Sequence, residues 1–498
     1  MVGSPSANQR GANMNLRRAR GNRNARAIGA CACWVALPAA AHGFGARYDL
    51  PLPLTLYLCG AALTVTVSCV MLLLFVPARP DGAGRGVNLL EHPATRWLAS
   101  PALVGAVRLA AVAIYLLLLA AGFFGTQSSF HNVVPIAVWA LWWVGLAYLS
   151  MLVGDLWRAA NPIETLFAAA ERLHARARPG HALGPVWTLP PSLQAWPAVA
   201  FYVVFLWMET AWDGSDVPAR IAGAMLAYSV VTWAGMAAFG REAWLEHGEA
   251  FTRVFGLLAR FAPIHVRIED RRIAAFELRP YAVGLLAREP VDRSEIALVV
   301  AVLAAVSFDG FLDTPAWGTL NDWLAPTGEH AAGLRTIGLL VAMLLFLGIY
   351  ALFCRLVAWS GVPGDARLAR RIAGLFVLTL VPIAIAYQFA HYLSFLVTAM
   401  QYGIALVSDP FGYGWNLFGT ANHLVRPNII GARTVWLVSL GAIVAGHVAA
   451  LYLGHLLSLR EFPSRRAASR SQWPMLVLMV GYTMLSLWII AQPIVNNR

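Results

Sequence analysis

Leu54–Val76, which reads LTLYLCGAALTVTVSCVMLLLFV, is a run of 23 residues without a single charged side chain. A helix needs about 20 apolar residues to cross the hydrocarbon core of a bilayer, so this stretch predicts a transmembrane helix. Nine further apolar runs follow it along the chain. They are Ala102–Phe124, Val133–Val153, Trp196–Trp212, Ile221–Phe239, Ile296–Phe311, Ile337–Trp359, Ile372–Val397, Val435–Leu457 and Pro474–Ile490.

The composition of the 498 residues agrees with this pattern. Hydrophobic residues make up 59% of the chain and charged residues 12%, and the mean hydropathy is +0.62. Soluble domains carry about 25% charged residues, so a water-soluble globule is excluded. The predicted fold class is therefore all-α, a polytopic bundle of about ten transmembrane helices in a lipid bilayer.

The N-terminal segment is typical of an export signal. Six arginines lie within the first 26 residues, and a short apolar stretch, Ala27–Leu37, precedes three alanines at 39–41. This order of regions predicts a signal peptide at residues 1–41 that is cleaved before His42. An uncleaved anchor is the alternative. Residues 42–498 are predicted to form one multi-span membrane domain.

The distribution of arginine predicts the orientation of this domain. Beyond residue 41 the chain holds 31 arginines, and 24 of them fall in loops on one side of the membrane. Only seven lie on the other side or within the spans. Cytoplasmic loops carry such an excess of basic residues, so both mature termini are predicted to be periplasmic, in a bacterial inner membrane. Topology accounts for the basic charge, and binding of nucleic acid is not indicated.

Two predicted cytoplasmic loops, 155–195 and 240–293, contain secondary structure of their own. The first contains a helical stretch over Ile163–Leu173. The second alternates apolar and polar residues from Val266 to Leu278, which predicts a β-hairpin. Its earlier part predicts an amphipathic helix lying on the inner membrane surface. The apolar residues of that helix are Trp244, Phe251, Phe255 and Leu258.

No nucleophile-elbow, zincin or phosphate-loop motif occurs in the chain. His247-Gly248-Glu249 resembles half of a zinc-deaminase signature, but the matching cysteine half is absent, so it is interpreted as a solvated loop. Candidate chemistry must therefore come from isolated ionisable residues. Such groups at membrane depth are energetically costly, and they are functional candidates by default.

Acids and histidines without evident arginine partners gather at the predicted outer ends of several spans. Asp309 and Asp313 end the sixth span, and a spacing of four would put both carboxylates on one face of a continuing helix. His391 lies in the eighth span, and Asp409 follows in the next loop. We predict that Asp309, His391 and Asp409 are catalytic and approach one outward-facing cavity.

A divalent metal would suit the same side chains, because imidazole and carboxylate groups bind such ions. The predicted metal ligands are Asp309, Asp313, His391, His423 and His42. Structural roles are the alternatives: acidic caps in water for the aspartates, and hydrogen bonding within the bundle for His391. The same alternative applies to His447, which lies near mid-depth in the ninth span.

The loop after the eighth span interleaves four aromatic residues with three glycines between Asp409 and Thr420. It is too apolar for an ordinary solvated connection. A lid over a cavity and an aromatic belt at the level of the lipid headgroups are the two interpretations.

Several segments, taken together and in order, resemble a bacterial family of polytopic membrane proteins labelled fenitrothion hydrolases. The resemblance covers most of residues 41–457. The segments are Ala41–Gly45, Tyr48–Pro53, Leu156–Pro162, Ser307–Phe311, His391–Ser394, Ser408–Gly412 and Trp415–Thr420. The resemblance implies hydrolysis of an organophosphorus triester with release of a nitrophenol, and it implies no particular set of catalytic residues.

A bound metal would supply both the nucleophilic water and the charge stabilisation that such hydrolysis needs. An aromatic-lined apolar cavity would suit an apolar small-molecule substrate. The alternative function is an inner-membrane transporter or metal-handling protein without hydrolase activity, in which the acids and histidines bind a cation. The sequence does not indicate an oligomeric state.

Overall fold

The computed structural model describes residues 47–76, 86–179, 185–269, 272–328, 330–427 and 429–496. The predicted signal peptide and His42 lie outside these residues. Within them, ten helices are long and apolar enough to cross a membrane, which confirms the predicted fold class. With the shorter helices included, the described helices are α1 (Leu54–Phe75), α2 (Pro101–Phe124), α3 (Val133–Leu152), α4 (Leu156–Ala160), α5 (Pro162–Ala177), α6 (Trp196–Thr210), α7 (Pro218–Phe239), α8 (Arg241–His247), α9 (Ala250–Ala259), α10 (Arg293–Leu312), α11 (Pro315–Leu324), α12 (Ala331–Gly361), α13 (Ala366–Phe376), α14 (Val381–Ser408), α15 (Ala432–Glu461) and α16 (Arg465–Ile494). The ten spans are α1, α2, α3, α6, α7, α10, α12, α13 together with α14, α15 and α16.

Helix α14 forms the centre of the bundle. It continues from α13 through a short 3-10 segment, Val377–Leu380, so that a single span of 42 residues runs to Ser408. Its most apolar stretch is almost wholly buried, whereas α1, α2 and α12 leave most of their side chains outside the protein core. Ridges of α14 pack against α3, α10 and α15. Side chains on α14 therefore face protein, and those on the outer helices are available to lipid.

Close contact between α14 and α15 depends on a glycine. A Cβ atom on Gly446 would lie 2.5 Å from the Cβ of Ala386 and 2.7 Å from the backbone oxygen of Pro382. Small residues allow transmembrane helices to approach in this way, because hydrophobicity alone does not drive helices together in lipid.

Short strands join segments that are distant in sequence. β1 (Tyr48–Asp49) pairs in parallel with β5 (Val495–Asn496), so both ends of the described chain lie on the same side of the bundle. At the other side, β3 (Ile264–Glu269) and β4 (Arg272–Leu278) form the predicted hairpin, which is confirmed. β2 (Val87–Asn88) adds to β4 and completes a sheet of order β2-β4-β3.

The segment predicted as one amphipathic helix on the membrane surface instead forms two helices, α8 and α9. Phe251, Phe255 and Leu258 of α9 are 5%, 0% and 4% exposed. Phe251 packs edge-on against Trp142 of α3, with ring centroids 4.5 Å apart. The surface location was wrong because this apolar face is covered by aromatic rings of the spans and not by lipid.

Candidate functional site

Four polar side chains from three helices meet inside the bundle. Glu209 lies one residue before the end of α6, and Asp309 lies in the last turn of α10. His391 and Tyr392 come from the middle of α14, and their side chains reach the ends of both helices. The side chains of His391 and Asp309 are 4% and 13% exposed, and Tyr392 is 3% exposed. We call Glu209, Asp309, His391 and Tyr392 the acid–histidine network.

Short hydrogen bonds connect this network. The Nε2 atom of His391 lies 2.9 Å from Oδ2 of Asp309. The hydroxyl of Tyr392 lies 2.6 Å from the same Asp309 oxygen and 3.0 Å from Oε1 of Glu209. The two carboxylates therefore lie within about 6 Å of each other, joined through one phenol oxygen. Buried ionisable groups in such contact mark a candidate functional site.

A π-helical segment of α3, Ile136–Gly145, supports the network from the side. Its Trp143 donates a hydrogen bond of 2.7 Å to Oε1 of Glu209. One turn later, Tyr148 donates to the backbone oxygen of Phe389 at 2.8 Å and so ties α3 to α14 beside His391. π-helical turns are rare and occur frequently at functional sites. The segment thus independently marks the same place in the fold.

Gly310 lets α10 approach the ring of His391 closely. A Cβ atom at this position would lie 2.7 Å from the hydroxyl of Tyr387 and 3.5 Å from Nδ1 of His391. It would also lie 2.9 Å from a methyl group of Ile489. Nδ1 of His391 consequently lies beside Gly310 of α10, close to the Tyr387 hydroxyl.

Of the predicted catalytic residues, the structure brings Asp309 and His391 together and separates Asp409 from them. Asp409 directly follows α14, 18 residues beyond His391. That spacing corresponds to about 27 Å along a continuous helix. Both carboxylate oxygens of Asp409 accept hydrogen bonds from the backbone of its own loop, from Tyr413 at 2.9 Å and Gly414 at 2.7 Å. The prediction of one shared cavity was wrong for Asp409, which closes a turn.

Of the other predicted metal ligands within the described residues, Asp313 lies near the network and His423 does not. Asp313 is the C-terminal capping residue of α10. Burial raises the pKa of its carboxyl to about 6. The charge of His391 lowers this pKa and the charge of Asp309 raises it further. His423 is exposed in the loop after α14, and His42 lies outside the described residues. Among the described residues, no group of three or more His, Cys, Asp and Glu side chains could hold a metal ion. Metal binding stays a prediction.

The aromatic loop packs on itself and on the turn between α2 and α3. Phe411, Tyr413 and Trp415 have ring centroids 5.3 to 5.5 Å apart. The hydroxyl of Tyr413 donates to the backbone oxygen of Phe124 at the end of α2. Phe418 is 69% exposed. These contacts place the aromatic cluster beside α2, and its role as a lid or as a belt stays a prediction.

Sequence reasoning missed Tyr392, Trp143 and Tyr387. Glu209, an acid near the end of the fourth predicted span, was not among the predicted site residues either. Each of these residues is identified only by its neighbours on another helix, which the sequence does not show. The one local signal was Glu209 itself, a carboxylate near the end of an apolar span without an arginine nearby in sequence.

Outside the network, the side chain of Glu249 is fully buried between α4, α7 and α9. The prediction that His247-Gly248-Glu249 forms a solvated loop was therefore wrong. Glu249 accepts hydrogen bonds from Tyr228 at 2.5 Å and from Trp157 at 3.2 Å. The backbone N–H groups of Phe251 and Thr252 and the Thr252 hydroxyl donate to it as well. This carboxylate caps α9 and joins three helices.

Comparison with models of protein families, with curated proteins and with solved structures finds no match for this chain.

Proposed function

We propose that this chain is a transporter of the bacterial inner membrane whose cycle includes the binding and release of one proton at Glu209. The observation that carries the proposal is the contact of the single Tyr392 hydroxyl with the carboxylates of both Glu209 and Asp309. Chains of Asp, Glu and His side chains within a membrane are characteristic of the proton relays of pumps and transporters.

We infer that a proton on Glu209 completes the hydrogen bonds of the network. Tyr392 has one hydrogen to donate, and the shorter contact directs it to Asp309, which also accepts from His391. The contact of 3.0 Å with Glu209 becomes a hydrogen bond when protonated Glu209 donates to the phenol oxygen. With Asp309 ionised and His391 protonated, this state carries no net charge.

Release of that proton changes the local charge. An ionised Glu209 would lie within about 6 Å of ionised Asp309, with both carboxylates largely withdrawn from water. Like charges in a low-dielectric interior repel strongly, so the deprotonated state favours separation of α6 from α10. Proton binding is thereby coupled to the relative position of two transmembrane helices.

Infrared difference spectroscopy of the purified protein tests this proposal. At neutral pH, the wild type should show the carbonyl stretch of a buried carboxylic acid, and Glu209→Gln should lack that band. Asp213→Asn is the matched control, because Asp213 is 74% exposed on the same end of the bundle and paired with Arg335. A carboxylic acid band of full intensity in Glu209→Gln would refute the proposal.

The orientation forms part of the proposal: both mature termini are periplasmic. The arginine distribution supports it, together with the β1–β5 pairing that puts the described ends of the chain on one side. Alkaline phosphatase fused after Arg498 should be active, and the same enzyme fused after Arg178 should be inactive. The reverse pattern would overturn the orientation.

Hydrolysis of an aryl phosphotriester is a second candidate function, supported by the family resemblance and by the Asp309–His391 pair. A carboxylate that orients an imidazole is the arrangement by which histidine acts as a general base. His391 would take a proton from water, the water oxygen would bond to phosphorus, and the bond to the nitrophenolate would break. A metal-activated water is the alternative route to the same products.

Release of nitrophenol from fenitrothion by membranes containing the protein tests this second function. Asp309→Asn and His391→Gln, compared at matched protein amounts, should each lower the rate by roughly a hundredfold or more. Wild-type activity in both variants would exclude the pair as the catalytic group, and activity that survives a chelator would exclude the metal route. No release by the wild type would leave transport as the supported function.

A further inference from the structure

Two buried polar atoms, one of them beside the acid–histidine network, have no hydrogen-bond partner among the described residues. They are the hydroxyl of Tyr387 on α14 and Nε2 of His447 on α15, and each residue is 1% exposed. Nδ1 of His447 lies 2.8 Å from the backbone oxygen of Ile443 and donates to it, so Nε2 presents a lone pair. The predicted interhelical hydrogen bond of His447 is thus not among these contacts. One group needs an acceptor and the other needs a donor.

Tyr482 of α16 lies near both residues. Its ring centroid is 5.7 Å from that of His447. Its hydroxyl contacts Ser307, which lies one turn before Gly310 on α10, and the Tyr387 hydroxyl lies beside Gly310. Ser307 donates to the backbone oxygen of Leu303 at 2.7 Å, so Tyr482 donates to Ser307 at 2.6 Å. The oxygen of Tyr482 therefore keeps lone pairs that can accept. The three side chains together supply one donor and two acceptors.

We infer that Tyr387, Tyr482 and His447 bind an internal water molecule between α14, α15 and α16. A water that accepts from Tyr387 and donates to both Tyr482 and His447 makes three hydrogen bonds, the usual number for a buried water. A buried polar atom without a hydrogen bond carries a substantial free-energy cost, and the bound water removes this cost.

This water site lies next to the acid–histidine network. The Tyr387 hydroxyl and Nδ1 of His391 face the same side of Gly310, where one Cβ position would lie 2.7 and 3.5 Å from them. A side chain at position 310 would separate the two groups. The water site consequently extends the network toward His447, and we infer that the proton of Glu209 exchanges by this route. This second step rests on the proposed function.

Hydroxyl-radical footprinting by X-ray radiolysis tests the water site in the wild-type protein, because radicals form from water bound at a side chain. Tyr387 and Tyr482 should be oxidised quickly. Tyr350 should be oxidised slowly, since it is 6% exposed and its hydroxyl donates to the backbone oxygen of Ala373 at 2.6 Å. Oxidation of Tyr387 and Tyr482 no faster than that of Tyr350 would overturn the water site.

Deuterium exchange of the Glu209 carboxylic acid, followed by its infrared band, tests the route. Tyr387→Phe keeps the ring and removes the hydroxyl, so exchange should slow by roughly tenfold, whereas Tyr350→Phe should exchange at the wild-type rate. Unchanged exchange in Tyr387→Phe would overturn the route. If the wild type lacks the Glu209 band, the proposed function and the route both fail, and footprinting alone decides the water site.

Discussion

Proteoliposomes containing Glu209→Gln are expected to give no transient current after a step in external pH, whereas the wild type gives one. Binding of a proton to Glu209 moves charge partway across the membrane, and glutamine cannot ionise. The amide oxygen of glutamine can still accept from Trp143, which donates to Glu209 at 2.7 Å, so the fold should be retained. Currents recorded on a solid-supported membrane measure this charge movement without knowledge of the transported substrate.

Asp213→Asn is the control for the current measurement. Its carboxylate lies at the same end of the bundle but is 74% exposed, and its contact with Arg335 is a surface ion pair of 3.2 Å. Exposed pairs contribute little to stability, so this variant should fold and give a transient of wild-type size. A transient of wild-type size from Glu209→Gln would show that the titrating group lies elsewhere.

The fold could be predicted from sequence because its main determinant is local. Each span is a continuous apolar run. Backbone polar groups in lipid must form hydrogen bonds within the protein, so such a run folds as a helix. The β3–β4 hairpin was equally local, with alternating residues on either side of a polar turn. The buried position of α9 could not be predicted from local sequence. The sequence of an amphipathic helix is the same whether lipid or another part of the protein, here Trp142, covers its apolar face.

Only part of the candidate site followed from depth along the spans. Asp309 and His391 were placed near one level, and they lie 2.9 Å apart. Asp409 was placed with them because the eighth span was expected to end at Val397. The helix continues to Ser408 instead, which carries Asp409 away from His391. The end of an apolar run is a weak marker of a helix end when the next turns are also helix-forming.

The contacts of Glu209 could not be read from the chain at all. Tyr392 reaches it from a residue 183 positions later, and Trp143 reaches it from 66 positions earlier. The π-helical turn that carries Trp143 has an unremarkable apolar sequence, IAVWALWWVG. Such partners are selected by helix packing, and packing depends on all of the helices together.

Glu249→Ala is expected to prevent accumulation of folded protein. Alanine would leave the Tyr228 hydroxyl, the Trp157 N–H and two backbone N–H groups buried without their acceptor. Each unsatisfied buried donor costs about 1–3 kcal/mol, so the four together would exceed about 4 kcal/mol. That loss is comparable with the whole stability of many proteins, about 5–15 kcal/mol. Size-exclusion chromatography in detergent measures the fraction that remains folded and monodisperse.

Two further variants separate the role of the Glu249 carboxylate from a general sensitivity of this segment. Glu246→Ala alters an exposed acid on the preceding helix and should leave the chromatogram unchanged. Glu249→Gln keeps one acceptor oxygen and should fall between the wild type and Glu249→Ala in thermal midpoint. If Glu249→Ala eluted as a folded species with the wild-type midpoint, its carboxylate would not hold α9 to α4 and α7. Tyr228 and Trp157 would then have found other acceptors.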